Sequence, residues 1–223
     1  MSCNHYIPLH PGKEYHLLSK ANGNDNIFRQ PTDYLTFQAR LADFILPIAQ
    51  INSYTLLPNH FHLIVAIREE EAIKKHYVEK KRKKFSRAKA PEFIMERFAN
   101  LLNSYCKTFN WKYNRLGSLF IDYLRRTEIT TEEEFRTVSA YIHHNAFLHQ
   151  FSHSLESWPW SSYPEIISER NDLVNAQVLN RFGGIENFVQ SHNMHVELND
   201  LEMELLPVHQ QKLHKRRKAT IIS

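Results

Sequence analysis

LLPNHFHLIVAI, residues 56–67, contains a two-residue turn signal, proline followed by asparagine, between two apolar runs. The runs cover residues 48–57 and 60–68, and both have the length and composition of strands. Because only two residues separate them, we predict a tight antiparallel hairpin. This hairpin is the strongest local signal in the chain, and the remaining elements are placed around it.

The second strand of the hairpin carries two histidines, His60 and His62. Alternate side chains of a strand share a face, so the two imidazoles point the same way, roughly 7 Å apart along the strand. Imidazoles at that spacing can converge on one divalent ion. They can equally lie exposed or pair with polar neighbours. A structural zinc site would want four cysteine or histidine ligands, and neither Cys3 nor Cys106 is near the motif.

Further elements are predicted on both sides of the hairpin from periodicity and end signals. These are a strand at residues 14–20, a helix from Pro31 to near Pro47, a helix opened by Pro91, a strand at residues 118–124, and a helix at about residues 131–147 that begins with Thr130 and Glu133 or Thr131 and Glu134 as a capping pair. The order is β-α-β-β-α-β followed by a helix. It predicts an α+β fold, a ferredoxin-like split βαβ antiparallel sheet with helices on one face.

Three segments fall outside this plan. Residues 69–90 are highly charged with little apolar pattern, and we interpret them as a mobile insertion. Residues 166–192 form a small extension with short helices predicted at 173–182 and 188–192. Residues 193–223 form a basic, loosely ordered tail.

Composition narrows the class of protein. The chain has 223 residues and a net charge of +4, which favours an anionic partner mildly. Its five glycines cannot build a nucleotide-cradling loop. Two cysteines indicate a reducing compartment, and neither a signal peptide nor a run of membrane-spanning length is present. We therefore expect a cytoplasmic protein without membrane attachment.

The final helix carries a second candidate group. Tyr141 and Asn145 are four residues apart, so their side chains project from one helix face. A phenol and an amide on this helix could be delivered to the open face of the sheet. His144, three residues after the tyrosine, could compete with Asn145 as a ligand. Most helical tyrosines, however, are half-buried packing residues.

Four segments together resemble a known family. LLPNHFHLIV is similar to the histidine-hydrophobic-histidine motif of the single-tyrosine HUH transposases, above all the insertion-sequence-200-like and REP-associated tyrosine transposases. YIHHNAFLHQF, SWPWSSY and RLGSLFIDYLRR resemble further segments of that family in the same order. The likeness spans about residues 5–165, the predicted catalytic domain. Ala146 stands where the family usually has proline.

The resemblance implies that Tyr141 is the nucleophile and that His60, His62 and Asn145 hold Mg²⁺ or Mn²⁺. We prefer Asn145 over His144 because hard ions favour oxygen donors, and manganese suits imidazole better than magnesium does. The implied activity is that of a transposase, a metal-dependent endonuclease and ligase of single-stranded DNA acting through a 5′-phosphotyrosine. His143 or His144 could assist as a base.

The implied partner is single-stranded DNA with hairpin or palindromic ends, and the protein could act alone or as a homodimer. Basic side chains that could contact phosphates are Lys107, Lys112, Arg115, Arg125, Arg126, Lys215, Arg216 and Arg217. One alternative is a domesticated protein that binds hairpin DNA or RNA without cutting it. A replication initiator or relaxase is disfavoured by the short chain and the motif order.

Overall fold

A four-stranded antiparallel sheet organises the computed structural model, which describes residues 7–121, 124–170 and 172–193. The elements in chain order are β1 Glu14–Lys20, α1 Pro31–Phe44, β2 Ala49–Leu57, β3 His60–Ile67, α2 Glu70–Lys81, a 3₁₀ turn Arg87–Lys89, α3 Ala90–Lys112, β4 Arg125–Ile129, α4 Glu132–Leu148, α5 Ser162–Ile167, α6 Val178–Phe182 and α7 Ile185–Ser191. The strands lie in the order β2-β3-β1-β4. This order is that of the ferredoxin-like sheet, so the predicted fold class is confirmed.

The predicted hairpin is present. Leu57 pairs with His60 across the two-residue turn, and the pairing continues along β2 and β3 with one irregularity between Ile51 and Ser53. β1 lies on the other side of β3, with Leu18 opposite His62. The hairpin therefore places the two histidines on a central strand of the sheet.

The two faces of the sheet are covered by different helices. Phe61 points to the face packed by α1 and α3, where its ring lies 5.0 Å from that of Phe37. The opposite face, which carries His60 and His62, is covered by α4, which contacts β2 and β3. From the sequence we expected this second face of the sheet to be open, and that expectation is wrong. Both histidines have no exposed surface in the described chain.

The charged segment 69–90 is largely helical, which corrects the prediction of a mobile insertion. α2 buries Ile73, His76 and Tyr77, which share one face of the helix, against α3. Every other side of α2 is formed mainly by lysine and glutamate. Three buried residues in twelve are too few to give a clear helical period in the sequence.

The fourth strand lies later in the chain than predicted. Residues 118–121 make only an isolated bridge between Phe120 and Ala21, and residues 122 and 123 lie outside the described part of the chain. The strand is instead β4, with the sequence RRTEI, which pairs only with β1. Leu119 and Phe120 belong to a loop, and their side chains are buried in the core, so their apolar character reflects burial and not strand structure.

The segment after α4 packs beside β2 at the edge of the sheet. The expected helix at residues 173–182 is shorter, because Val174 forms a parallel bridge with Ile51 at the edge of β2 and α6 begins only at Val178. The short helix expected at 188–192 corresponds to α7, and α5 was not predicted. The tail beyond residue 193 lies outside the described residues. No helix of the described chain is both long and apolar enough to span a bilayer.

Candidate metal and tyrosine site

The four residues singled out as nucleophile and ligands lie together in one chain. The Tyr141 hydroxyl donates to Asn145 Oδ1 over 3.3 Å, and the Tyr141 ring centroid lies 5.7 Å from that of His62. The His60 and His62 rings are 5.2 Å apart. Strand β3 thus supplies two imidazoles and helix α4 supplies a phenol and an amide to one buried position.

Helix α4 begins with a capping box that fixes its start. Thr131 Oγ1 accepts from the Glu134 backbone N–H over 3.1 Å, and Glu134 Oε2 accepts from the Thr131 backbone N–H over 3.2 Å. The Thr131–Glu134 pair is therefore the one that forms, as one of the two predicted alternatives. From this start, ten residues bring Tyr141 over β3.

The neighbouring histidines of α4 face elsewhere. His143 Nε2 lies 2.6 Å from Ser162 Oγ and 3.1 Å from Ser53 Oγ, and its Nδ1 lies 2.7 Å from His192 Nε2. His144 Nδ1 donates to the Ala140 carbonyl over 2.8 Å. These hydrogen bonds occupy both ring nitrogens of His143 and turn His144 along its own helix, so Asn145 is the α4 side chain that accompanies Tyr141.

Each histidine of the pair has one nitrogen engaged and one without a partner. His60 Nδ1 lies 2.8 Å from Asn59 Oδ1, and His62 Nδ1 lies 2.9 Å from His16 Nε2. Among the residues that the structure describes, neither of the two buried Nε2 atoms has a hydrogen-bond partner. Polar atoms of this kind are rare in folded proteins and call for an explanation, such as an ion.

Both imidazoles are neutral at physiological pH. Burial, with the neighbouring His149, lowers the pKa of His60 well below its usual value, and the nearby Asn145 side chain opposes the shift. Burial, with the neighbouring His60, likewise lowers the pKa of His62 well below its usual value. A neutral imidazole with a free nitrogen lone pair is the form that binds a metal.

These donors fit a divalent ion held by mixed nitrogen and oxygen ligands. The two unpartnered Nε2 atoms and the Asn145 amide oxygen would hold it, a set suited to manganese or, with its oxygen and added water, magnesium. In the described residues, no group of three or more histidine, cysteine, aspartate or glutamate side chains is placed to hold a metal. An ion here would therefore depend on the amide.

Two further histidines adjoin the pair and were not singled out from the sequence. His16, on β1, stacks on His62 with ring centroids 5.2 Å apart. The ring centroid of His149, at the end of α4, lies 4.9 Å from that of His60, and neither of its buried nitrogens is hydrogen-bonded to a described residue. Burial lowers the pKa of each to about 4. The strand periodicity that places His60 and His62 together also places His16 on this face once the β1–β3 register is known.

Comparison with known proteins gives a likeness to a solved structure. No protein-family model matches the chain, and no curated protein matches it. The structure is similar to a solved REP-associated tyrosine transposase bound to a REP hairpin, with a TM-score of 0.54 and 16% sequence identity over 79% of this chain and 90% of that one. The two chains share a fold. At the level of fold, the likeness agrees with the family resemblance of the sequence motifs.

The basic residues predicted to contact DNA are scattered. Lys107 is exposed on α3, whereas Lys112 pairs with Asp33 over 2.6 Å and Arg115 with Asp25 over 2.8 Å. The first pair holds α3 to the first turn of α1, and the second holds the loop after α3 to the loop before α1. The charged groups of Lys112 and Arg115 are therefore already engaged in ion pairs that stabilise the fold.

The two arginines of β4 are both buried. Arg126 lies on the α1–α3 face, where its Nη1 is 3.0 Å from Met95 Sδ, away from the histidines. Arg125 pairs with Leu18 and so shares the face of His62. The tail residues Lys215, Arg216 and Arg217 lie outside the described residues.

Two exposed apolar side chains were also not singled out from the sequence, Trp111 at the end of α3 and Leu116 in the loop that follows. Trp111 is 86% exposed and Leu116 is 93% exposed. Lys107 is one helical turn before Trp111, so a cation and an indole share this surface. The apolar stripe of α3 gave no reason to select Trp111, because the tryptophan lies off that stripe.

Proposed function

We propose that this protein is a metal-dependent transposase that cuts and rejoins single-stranded hairpin DNA through a tyrosine nucleophile. The observation that carries the proposal is the convergence of the Tyr141–Asn145 pair with two buried imidazoles whose Nε2 atoms have no hydrogen-bond partner in the described part of the chain. If the cluster had only a structural role, each nitrogen left without a partner would reduce the free energy of unfolding by about 1–3 kcal/mol. A bound cation removes that cost.

In the proposed reaction, the Tyr141 hydroxyl oxygen attacks the scissile phosphorus. The new oxygen–phosphorus bond yields a 5′-phosphotyrosine, the bond to the 3′ oxygen breaks, and the phenol proton is released as the leaving oxygen becomes a 3′-hydroxyl. Asn145 Oδ1 holds the hydroxyl beside the histidines. A divalent ion, when bound, supplies charge neutralisation at the phosphate. Because the covalent intermediate conserves the phosphodiester bond energy, rejoining needs no ATP.

All four groups come from one chain, which supports a site that acts within its own subunit. Helix α4 is held to its own sheet by the Ser53–Ser139 hydrogen bond of 2.7 Å and by the His143–Ser53 contact, and to α5 by the His143–Ser162 contact. A homodimer that exchanged α4 would have to break these buried contacts. A single subunit is therefore the working unit of the proposal.

The solved neighbour with this fold is bound to a REP hairpin, and we propose hairpin DNA as the partner here. Single-stranded nucleic acids bind to surfaces that combine cations with aromatic side chains. Trp111 with Lys107 provides such a combination on α3. We propose a cytoplasmic location because the proposed substrate is DNA.

One observation favours a second candidate, a hairpin-binding protein that does not cleave. His60 and His62 are fully buried and Tyr141 is only 8% exposed, so α4 must move slightly for a phosphate to reach them. A chain in which α4 never moves would bind DNA on its surface only.

A cleavage assay separates the two candidates. End-labelled hairpin oligonucleotides are incubated with the full-length protein and Mn²⁺, with EDTA in a parallel reaction. We expect cleavage that requires the metal and is abolished in His60→Ala and His62→Ala, while DNA binding and circular dichroism stay near wild type.

His144→Ala is the matched control, since His144 is turned along its own helix, and it should cleave normally. Cleavage at the wild-type rate by His60→Ala, or in EDTA, would contradict the proposal. Binding by the wild type without cleavage would favour the second candidate.

A further inference from the structure

His16 is a third histidine in contact with the proposed ligands, although it lies 44 residues before the hairpin pair in the chain. It occupies β1 opposite Ile64, on the face of the sheet that His62 shares. Its Nε2 lies 2.9 Å from His62 Nδ1, and the two rings are stacked with an interplanar angle of 15°. The contact involves His62 Nδ1 and leaves His62 Nε2 without a hydrogen-bond partner among the described residues.

Two arrangements of protons can make this hydrogen bond. If His62 Nδ1 carries the proton and donates it to His16, the His62 Nε2 keeps a lone pair. If His16 Nε2 donates instead, His62 must carry its proton on Nε2, which is buried without an acceptor. A buried N–H without an acceptor is costly, and that form cannot bind a cation.

We propose that His16 is a positioning residue of the metal centre, accepting the Nδ1 proton of His62 so that the His62 Nε2 lone pair is available to the metal. The inference rests on the proposed function. His60 has a corresponding partner in Asn59 Oδ1, at 2.8 Å from its Nδ1. Each proposed histidine ligand is therefore oriented by one acceptor from outside the ligand set, as is usual for metal-bound histidines.

The same geometry argues against His16 as a ligand itself. Its Nε2 is already committed to His62, so it cannot face an ion with that atom. An apolar side chain at position 16 would suit the neighbouring Leu18 and Ile64, yet it would leave His62 Nδ1 without an acceptor. The imidazole is thus explained by its contact with His62.

Mn²⁺ binding to the full-length protein, measured by electron paramagnetic resonance titration, tests the inference without requiring activity. His16→Leu removes the acceptor, and His16→Gln keeps an amide oxygen able to replace Nε2. We expect His16→Leu to weaken Mn²⁺ binding by about 10–100-fold, the usual effect of losing such a partner, and His16→Gln to restore it to within about threefold. His76→Leu, which removes a buried histidine from α2, should bind as wild type.

A second measurement reports the proton directly. Long-range ¹H–¹⁵N correlation spectra of the metal-free protein should show His62 protonated on Nδ1 in the wild type and in His16→Gln, and a mixture of tautomers in His16→Leu. Unchanged Mn²⁺ affinity in a folded His16→Leu variant would overturn the inference alone. Equal loss in His16→Gln and His16→Leu would overturn it in favour of a directly ligating imidazole. Absence of Mn²⁺ binding by the wild type would overturn the proposed function as well.

Discussion

Arg181 on α6 ties the C-terminal extension to both the sheet and the tyrosine helix. Its guanidinium donates to both carboxylate oxygens of Glu14, at 2.8 and 3.0 Å, and to both oxygens of Glu132, at 3.1 and 2.9 Å. It also lies 3.4 Å from the centre of the Phe135 ring. Strand β1, the first turn of α4 and α6 therefore meet at one side chain.

The cost of removing this side chain follows from the exposure of its partners. The Arg181 and Glu14 side chains are 23% and 14% exposed, so their two-pronged contact is largely shielded, whereas Glu132 is 59% exposed. Breaking a fully buried pair costs about 3–5 kcal/mol, and an exposed pair contributes about 0–1 kcal/mol. We therefore expect Arg181→Ala to lower the free energy of unfolding by about 2 kcal/mol, between these limits.

Urea denaturation at pH 7.5, followed by circular dichroism, measures the loss. Arg181→Lys keeps the charge but not the planar fork, and it should recover less than half of the loss. Lys74→Ala, which removes an exposed partner of Glu71 on α2, is the control and should change stability by less than about 0.5 kcal/mol. An Arg181→Ala variant as stable as this control would refute the idea that the extension secures α4.

Three further predictions concern pH, helix capping and DNA contact. Burial holds the pKa of His16 and His149 at about 4, below the unfolded value near 6.5, so the unfolded chain gains protons first on acidification. The free energy of unfolding should be level above pH 7 and fall as pH drops from 6.5 towards 4, by about 1 kcal/mol per histidine at pH 5.5. Equal urea midpoints at pH 7.5 and 5.5 would contradict this. Thr131→Ala removes the α4 cap and should cost about 1 kcal/mol in the same urea assay; an unchanged midpoint would show that the cap is immaterial. Trp111→Ala should weaken hairpin binding by about 1–3 kcal/mol through lost stacking, without altering the salt dependence, and a loss of the same size in the exposed α1 variant Leu35→Ala would count against a stacking role.

The hairpin and the helices around it could be predicted because their patterns are regular. The proline–asparagine turn fixes the hairpin locally, and α1 and α3 bury apolar stripes at helical spacing. β4 could not be found in this way. Its sequence is polar, and its strand character comes from pairing with β1, which is distant in the chain.

The grouping of the four candidate-site residues could be predicted from the sequence, but their surroundings could not. Strand alternation places His60 and His62 on one face, and helical spacing places Tyr141 beside Asn145. That α4 would close over this face depends on buried contacts between distant segments, such as Ser53 with Ser139. The same holds for the His16–His62 hydrogen bond, which requires the register of β1 against β3.

Covalent capture of DNA on Tyr141 tests the central claim most directly. The wild type, Tyr141→Phe and the control Tyr113→Phe are incubated with a single-stranded hairpin oligonucleotide and Mn²⁺, and the products are separated on a denaturing gel and mapped by mass spectrometry. We predict a protein–DNA adduct in the wild type and in Tyr113→Phe, mapped to Tyr141, and none in Tyr141→Phe. An adduct that persists in Tyr141→Phe, or that maps to another residue, would contradict the assignment of the nucleophile.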